Sequence, residues 1–268
     1  MIIPQNTEYE YVMVDLETLG LSSKSPVLSI GAVLFNLTDL DTMESINSAD
    51  PTRTFYVEIE AEDWLKYGRV ADAETIQWWM AQSDSAKAVF NRTSPHKTFA
   101  VPALNQFNTF AFGNRPRGLW SNGANYDVVI LSDWAKDMKR AGEEVQYDSK
   151  FNWEYDVRTL LELAKKLTGF DKKSVPRVGT YHNALDDAKY QVLLVQEACR
   201  SLNPNKSAVR YVESVEPGVL PQPPIDTSYL QKIAPNAFPA HTQEQASEAL
   251  FLDGKRDFIS PEDKRKYS

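Results

Sequence analysis

The sequence predicts an α/β fold: a mixed five-stranded sheet flanked by helices, with a proline-rich C-terminal extension. Three observations carry this. Three runs rich in β-branched and aromatic residues stand close together near the start. Helical periodicity takes over from Ala73. Two short strand-like segments, Gly118–Ser121 and Phe151–Tyr155, are then set among the helices.

Tyr11–Asp15 (YVMVD), Val27–Phe35 (VLSIGAVLF) and Thr54–Glu60 (TFYVEIE) are the three opening strands. The Ser/Lys/Pro turn at Leu21–Pro26 favours an antiparallel hairpin between the first two. A polar loop, Asp39–Thr52, leads to the third, so the three form a meander. Ala73–Ala81, Ser83–Phe90 and Val101–Phe112 space their apolar residues as helices do. Tyr126–Arg140 is amphipathic, with Val129, Ile130, Trp134 and Met138 opposite Lys136, Lys139 and Arg140. Asp156–Leu167 and Asn183–Leu202 complete the helices. Prolines then concentrate, among them Pro221, Pro223 and Pro224. Glu213–Pro224 reads as an extended linker and Thr242–Leu252 as a short helix. The expected division is one domain over residues 1–204 and an extension over 205–268 that wraps the domain or docks a protein partner.

The 268 residues are 42% hydrophobic and 25% charged, which excludes collagen-like, disordered and disulfide-scaffold chains. The longest apolar runs, such as Val27–Phe35, fall short of the ~20 residues of a membrane span, so no membrane association is expected. Met1–Glu10 lacks the pattern of a secretory signal. The single cysteine, Cys199, makes no internal disulfide and suits a reducing, cytoplasmic setting, which for a virus-encoded chain is the bacterial host cell. Net charge is −8, from 37 acidic and 29 basic residues. Bulk electrostatics therefore do not advertise nucleic-acid binding, but carboxylates that hold metals contribute to the same sum.

Asp15 and Glu17 close the first strand as Asp-Leu-Glu. Residues two apart on a strand share a face, so both carboxylates project together. Val12, Val14 and Leu16 mark the strand as buried, and two acids there call for a counter-charge. Asp127 stands where the Gly118–Gly123 strand and loop turn into a helix, a place where an acid also stabilises the helix dipole. His182 and Asp187 bracket the start of the last helix, where helix capping is the competing account. Asp186 is the rival for the fourth carboxylate but points about 100° away around the helix. Four carboxylates and a histidine suit two hard divalent cations, Mg²⁺ or Mn²⁺. Two such ions about 4 Å apart clamp the attacking and leaving oxygens of a phosphodiester. A nearby histidine can take the proton of the attacking water.

The order Asp-x-Glu, a mid-chain Asp at a helix start, and His-x4-Asp late in the chain resembles the DEDDh class of 3′–5′ exonucleases. The resemblance runs from Tyr11 to Leu202 and implies a ribonuclease H-like fold. Thr75-Ile76-Gln77-Trp78-Trp79 with Gln82-Ser83 and Ala86 resembles the TIxWWxxQSxxA segment of T-even phage exonuclease A and a related mycobacterial exoribonuclease group. Asp156-Val157-Arg158-Thr159 resembles their D-[IV]-R-T segment. The resemblance implies that Asp15 bridges both metals and that Glu17 and Asp187 complete the nucleophile-side metal. It implies further that Asp127 holds the second metal and His182 is the general base. Tyr126 stands where the class often shows Phe.

Leu19 lies near where the class wedges an apolar side chain against the terminal base. Trp78 and Trp79 point to different sides; one could stack a base, and core packing is the competing account for at least one of them. Lys172, Lys173 and Arg177 precede His182 in a loop suited either to phosphates or to solvent. Arg158 suits a structural ion pair or a helix-start contact rather than substrate binding. His96 and His241 lack ligand spacing and receive no role.

The leading expectation is a metal-dependent 3′–5′ exonuclease that releases nucleoside 5′-monophosphates from single-stranded DNA 3′ ends. The alternative substrate is RNA, separated by contact to the 2′-hydroxyl. A non-catalytic nucleic-acid-binding scaffold, or a polymerase-associated protein using residues 205–268 as a docking arm, is the reading from another class.

Overall fold

The computed structural model describes residues 9–48, 51–113 and 116–203. The predicted extension, residues 205–268, lies outside the described residues, and so do its linker and its short helix. Strands β1 (Tyr11–Thr18) and β2 (Val27–Phe35) are followed by helix α1 (Met43–Ser48), β3 (Thr54–Ile59), α2 (Ala73–Met80) and α3 (Asp84–Lys87). Then come β4 (Lys97–Thr98), α4 (Ala100–Phe112), β5 (Gly118–Ser121) and α5 (Asp127–Arg140). The last elements are β6 (Glu154–Asp156), α6 (Val157–Thr168) and α7 (Ala184–Leu202). The sheet order is β4-β3-β2-β1-β5-β6. The predicted meander β1-β2-β3 is antiparallel, while β5 and β6 join β1's other side in parallel. This is the mixed sheet expected of a ribonuclease H-like fold.

The sheet has six strands rather than five. The sixth, β4, is two residues pairing with the end of β3, too short and too polar to show alternation. Phe151–Trp153 is a 3-10 turn, so the predicted strand there shrinks to Glu154–Asp156. Ser83 caps only a four-residue α3, and Ala88–Phe90 continues as a 3-10 turn. Among the described residues no helix is long and apolar enough to cross a membrane.

Every residue of β2 is buried, so the sheet is covered on both faces. Val12, Val14 and Leu16 of β1 face one core, with Trp79, Phe107, Ile130 and Trp134. Met13 faces the other, with Val33, Phe35, Trp120, Val192 and Val195. Asp15 and Glu17 share Met13's face by alternation, and that face is covered by α7. The β1–β2–β3 register then aligns Glu17, Ser29 and Glu58 across three strands, with Asp15, Gly31 and Tyr56 in the next such row.

Gly31 is where α7 crosses the sheet. A Cβ there would lie 2.2 Å from the Ala184 carbonyl carbon and the Leu185 nitrogen. No flexible atom can yield, because both neighbours are backbone. Gly31→Ala is therefore expected to cost about 1–3 kcal/mol by overpacking. Urea unfolding reads that loss.

Candidate active site

Strand β1 carries the first two acids into the interior. Glu17 is buried, and its partner in β2 is Ser29, just before the register slips between Glu17 and Thr18. Thr18 Oγ1 lies 2.7 Å from the Tyr126 hydroxyl, which donates to the Gly20 carbonyl at 2.6 Å. This ties the end of β1 to the start of α5 and uses the hydroxyl that Phe would lack. Pairing between β1 and β5 stops at Met13, so the edge of β1 beyond it has no strand partner on that side. Asp127, first residue of α5 and 3% exposed, accepts the Leu16 N–H there.

Helix α7 brings the rest. Asn183, not His182, is its N-cap: Asn183 Oδ1 accepts from the Leu185 and Asp186 N–H groups, both at 3.1 Å. His182 precedes the cap with φ +61°, in the left-handed region that histidine enters more readily than most side chains. Its ring stands edge-on to Trp78, with centroids 4.7 Å apart. Ligand atoms of Glu17, His182 and Asp187 all lie within 4.8 Å of one another, a spacing that can hold a metal ion. Asp186 turns away: its Oδ2 accepts the Thr180 N–H at 2.9 Å and so holds the loop that presents His182. Asp187, not Asp186, is the acid that joins the cluster.

Charge explains the environment of these groups. Burial pushes the Asp15 carboxyl up to about 7, against the opposing pull of a hydrogen bond from Gln191 and the Arg177 charge. Burial and then repulsion by Asp15 and Asp127 hold Glu17 well above the ordinary carboxylate range. Asp127 is raised by burial and by Asp15. Burial, then Arg177, lowers the His182 imidazole, which favours the neutral form that a base requires. Asp15, Glu17 and Asp127 thus sense one another, with Arg177 close by. Crowded, buried oxygen donors of this kind fit a hard divalent cation.

Two supporting residues escaped sequence reading or took another role. Gln191 Nε2 donates to Asp15 Oδ1 at 2.6 Å. Gln191 sits four residues after Asp187 on the same helix face, and that spacing on a buried stripe was its only signal. Arg177 does reach the cluster, but there it pairs with Asp187 and stacks between Tyr181 (4.5 Å) and Tyr190 (4.7 Å). Arg158 is exposed beside Asn122, its Nε donating to Asn122 Oδ1 at 3.3 Å, and makes no ion pair among the described residues. Asp156 of the same segment is instead the clamp: it caps α6 through Thr159 and accepts the Ala124 N–H at 2.9 Å.

The expected substrate contacts divide. Leu19 is completely buried, so it has no face to offer a terminal base and belongs to the core. Trp79 is 1% exposed and its Nε1 donates to the Thr18 carbonyl at 2.8 Å, so it too is core. Helix α2 lays Ile76 and Trp79 into the sheet, which turns Trp78 out towards His182. Lys172 and Lys173 lie on an exposed 3-10 turn that ends at buried Val175.

A family model matches residues 10–199, the whole span that builds this cluster; its description is a 3′–5′ exoribonuclease Rv2179c-like domain. The chain belongs to the Rv2179c-like family. It therefore carries a 3′–5′ exonuclease domain of that family. No curated protein matches the chain. Among solved structures it is similar to the RNase domain of the yeast Pop2 protein, with 12% identity and a TM-score of 0.47, over 75% of this chain and 80% of that one. It is also similar to S. pombe Pop2p in a Mg²⁺- and Mn²⁺-bound form, with 15% identity and a TM-score of 0.45, over 74% of this chain and 85% of that one.

Four outcomes follow for the Rv2179c-like domain. Mg²⁺ or Mn²⁺ at a hundred times its dissociation constant should stabilise the fold by about 2.7 kcal/mol, read as a rise in Tm. Glu17→Gln should raise the metal-free Tm by removing the central repelling charge, and should abolish the metal-dependent rise. Asp187→Ala should also abolish that rise, whereas Asp186→Ala should keep it and show only a loosened Thr180–His182 loop in hydrogen exchange.

Proposed function

We propose that this Rv2179c-like domain is a DEDDh 3′–5′ exonuclease that shortens single-stranded RNA from its 3′ end, releasing nucleoside 5′-monophosphates. The observation that carries the reading is the convergence of Glu17, His182 and Asp187 at ligand spacing, with Asp15 and Asp127 beside them. The family description favours RNA over the DNA expected from sequence. DNA stays as a second reading because of the Thr75–Ala86 segment and its resemblance to a phage exonuclease. The catalytic unit is the segment up to about residue 204, and residues 205–268 are left for wrapping it or docking a partner.

Asp15, Glu17, Asp127 and Asp187 would hold two divalent cations. Such ions, when bound, neutralise the phosphodiester's developing charge and acidify the attacking water. His182 takes the proton of that water, and the lowering of its imidazole pKa by burial and Arg177 favours the neutral form that can do so. Trp78 fixes the imidazole ring edge-on, and the Asp186–Thr180 hydrogen bond fixes its loop. Gln191 orients Asp15. Arg177 balances Asp187 through their ion pair, and its guanidinium there could also meet a substrate phosphate.

The test is digestion of 5′-labelled single-stranded RNA and DNA of one sequence, with Mg²⁺ or Mn²⁺ and with EDTA. The expected result is a metal-dependent ladder shortening from the 3′ end, faster on RNA. His182→Ala should slow the chemical step about 10²–10⁴-fold, the range of general-base catalysis, while keeping the metal-dependent Tm rise. A folded wild-type protein that degrades neither polymer would favour the binding-scaffold reading.

A further inference from the structure

Arg158 is the second residue of α6, and no step described above uses it. Its place is unfavourable for a cation. The N–H groups of a helix's first turn present positive charge, so an acid is preferred there and a cation costs stability. The first turn of α6 holds no acidic residue. The N-cap, Asp156, is occupied elsewhere: its Oδ1 accepts from the Thr159 N–H and hydroxyl, and its Oδ2 accepts the Ala124 N–H. Among the described residues Arg158 therefore pairs with no carboxylate, and its only hydrogen bond is from Nε to Asn122 Oδ1 at 3.3 Å.

The guanidinium is nevertheless held. A Cβ at Gly123 would stand 3.4 Å from Arg158 Cζ and 3.6 Å from each terminal nitrogen. The carbon is nearer than the nitrogens, so the group lies face-on to Gly123. With Nε tied to Asn122, this leaves both terminal nitrogens as an exposed fork that donates to no described residue. Asp127 opens α5 four residues after Gly123, and the Arg158 charge is felt there, against the raising effect of burial.

Strand order fixes the side on which this fork stands. β5 and β6 lie on one side of β1, and β2 and β3 lie on the other. Asn122 and Gly123 follow β5, and Arg158 follows β6. His182 lies towards β3, where its neighbour Asn183 donates from Nδ2 to the Tyr56 hydroxyl at 3.4 Å. The acids of β1 thus stand between His182 and Arg158. In an in-line displacement the attacking and leaving oxygens are on opposite sides of the phosphorus. With His182 on the side of the attacking water, the leaving 3′-oxygen and the retained chain fall on the side of Asp127 and Arg158.

We propose that the two terminal nitrogens of Arg158 bind a backbone phosphate of the retained chain, the one 5′ to the scissile linkage. The inference rests on the 3′–5′ exonuclease reading and adds the residue that grips the chain behind the cut. A guanidinium fork matches a phosphate bidentately, and such a contact positions the chain without reading base or sugar.

The experiment uses the full chain and two 5′-labelled single-stranded RNAs. One carries an uncharged methylphosphonate at the linkage 5′ to the scissile one; both carry a 2′-deoxy sugar there, which keeps the neutral linkage intact. Single-turnover cleavage with Mg²⁺ is measured at several salt concentrations. Arg158→Gln should weaken binding of the all-phosphate RNA roughly tenfold, the loss of a charge-assisted pair, and should lower its salt slope by about 0.7. The methylphosphonate should weaken wild-type binding to a similar degree and leave the Arg158→Gln protein little changed. Its Tm should hold or rise, since a cation leaves the helix start. Equal losses from the methylphosphonate in both proteins would overturn the proposal. So would unchanged binding by Arg158→Gln, or a fall in its Tm with the same loss on both RNAs, which is the mark of a structural role. Fluorescence anisotropy with Ca²⁺ in place of Mg²⁺ repeats the comparison without turnover. A protein that binds RNA without cleaving it loses the exonuclease reading while this comparison still judges Arg158, and a protein that binds neither RNA overturns the Arg158 assignment.

Discussion

Asp15, Glu17 and Asp127 hold three carboxylates together, Glu17 and Asp127 buried and Asp15 partly so, and all three are held above the ordinary carboxylate range. Burying charge without a partner is among the most expensive things a fold can do. The domain spends stability to keep these oxygens together, and the natural return is affinity for a hard cation. Much of the surrounding structure can be understood as holding that arrangement in place. Asp127 is fixed by the Leu16 N–H, Asp15 by Gln191, and Asp187 by Arg177.

The packing that permits this is backbone on backbone. Gly31 lets the start of α7 rest directly on β2, so Asp187 comes down beside Glu17 and Gln191 beside Asp15. A side chain at Gly31 would separate the two halves of the cluster. The loop before α7 is held from several sides, by Val175 in the core, by Asp186 on Thr180, and by Arg177 between two tyrosines. His182 can therefore keep a left-handed backbone at the point where an imidazole is needed.

Much of the fold was legible because periodicity is local. The apolar runs of β1 and β2 and the long stripe of α7 each reflect burial. β4 was not legible, since two residues carry no period. The acids were legible because Asp-x-Glu on a strand fixes a shared face, and because neighbours on a helix diverge, which separates Asp187 from Asp186. The roles of Leu19 and Trp79 were not. A tryptophan pair shows that two sides of a helix are aromatic, without showing which side meets the sheet.

The sequence by itself determined the element types, the paired acids on β1 and the acid and histidine that bracket α7, because strand and helix geometry link residues a few positions apart. Only the tertiary structure decided which cationic side chain meets Asp187, which glutamine holds Asp15, and that Arg158 lies against Gly123. The reason is physical. Those relations join residues on different elements, and they follow from strand order, register and the approach of α7 to Gly31, none of which any single segment encodes.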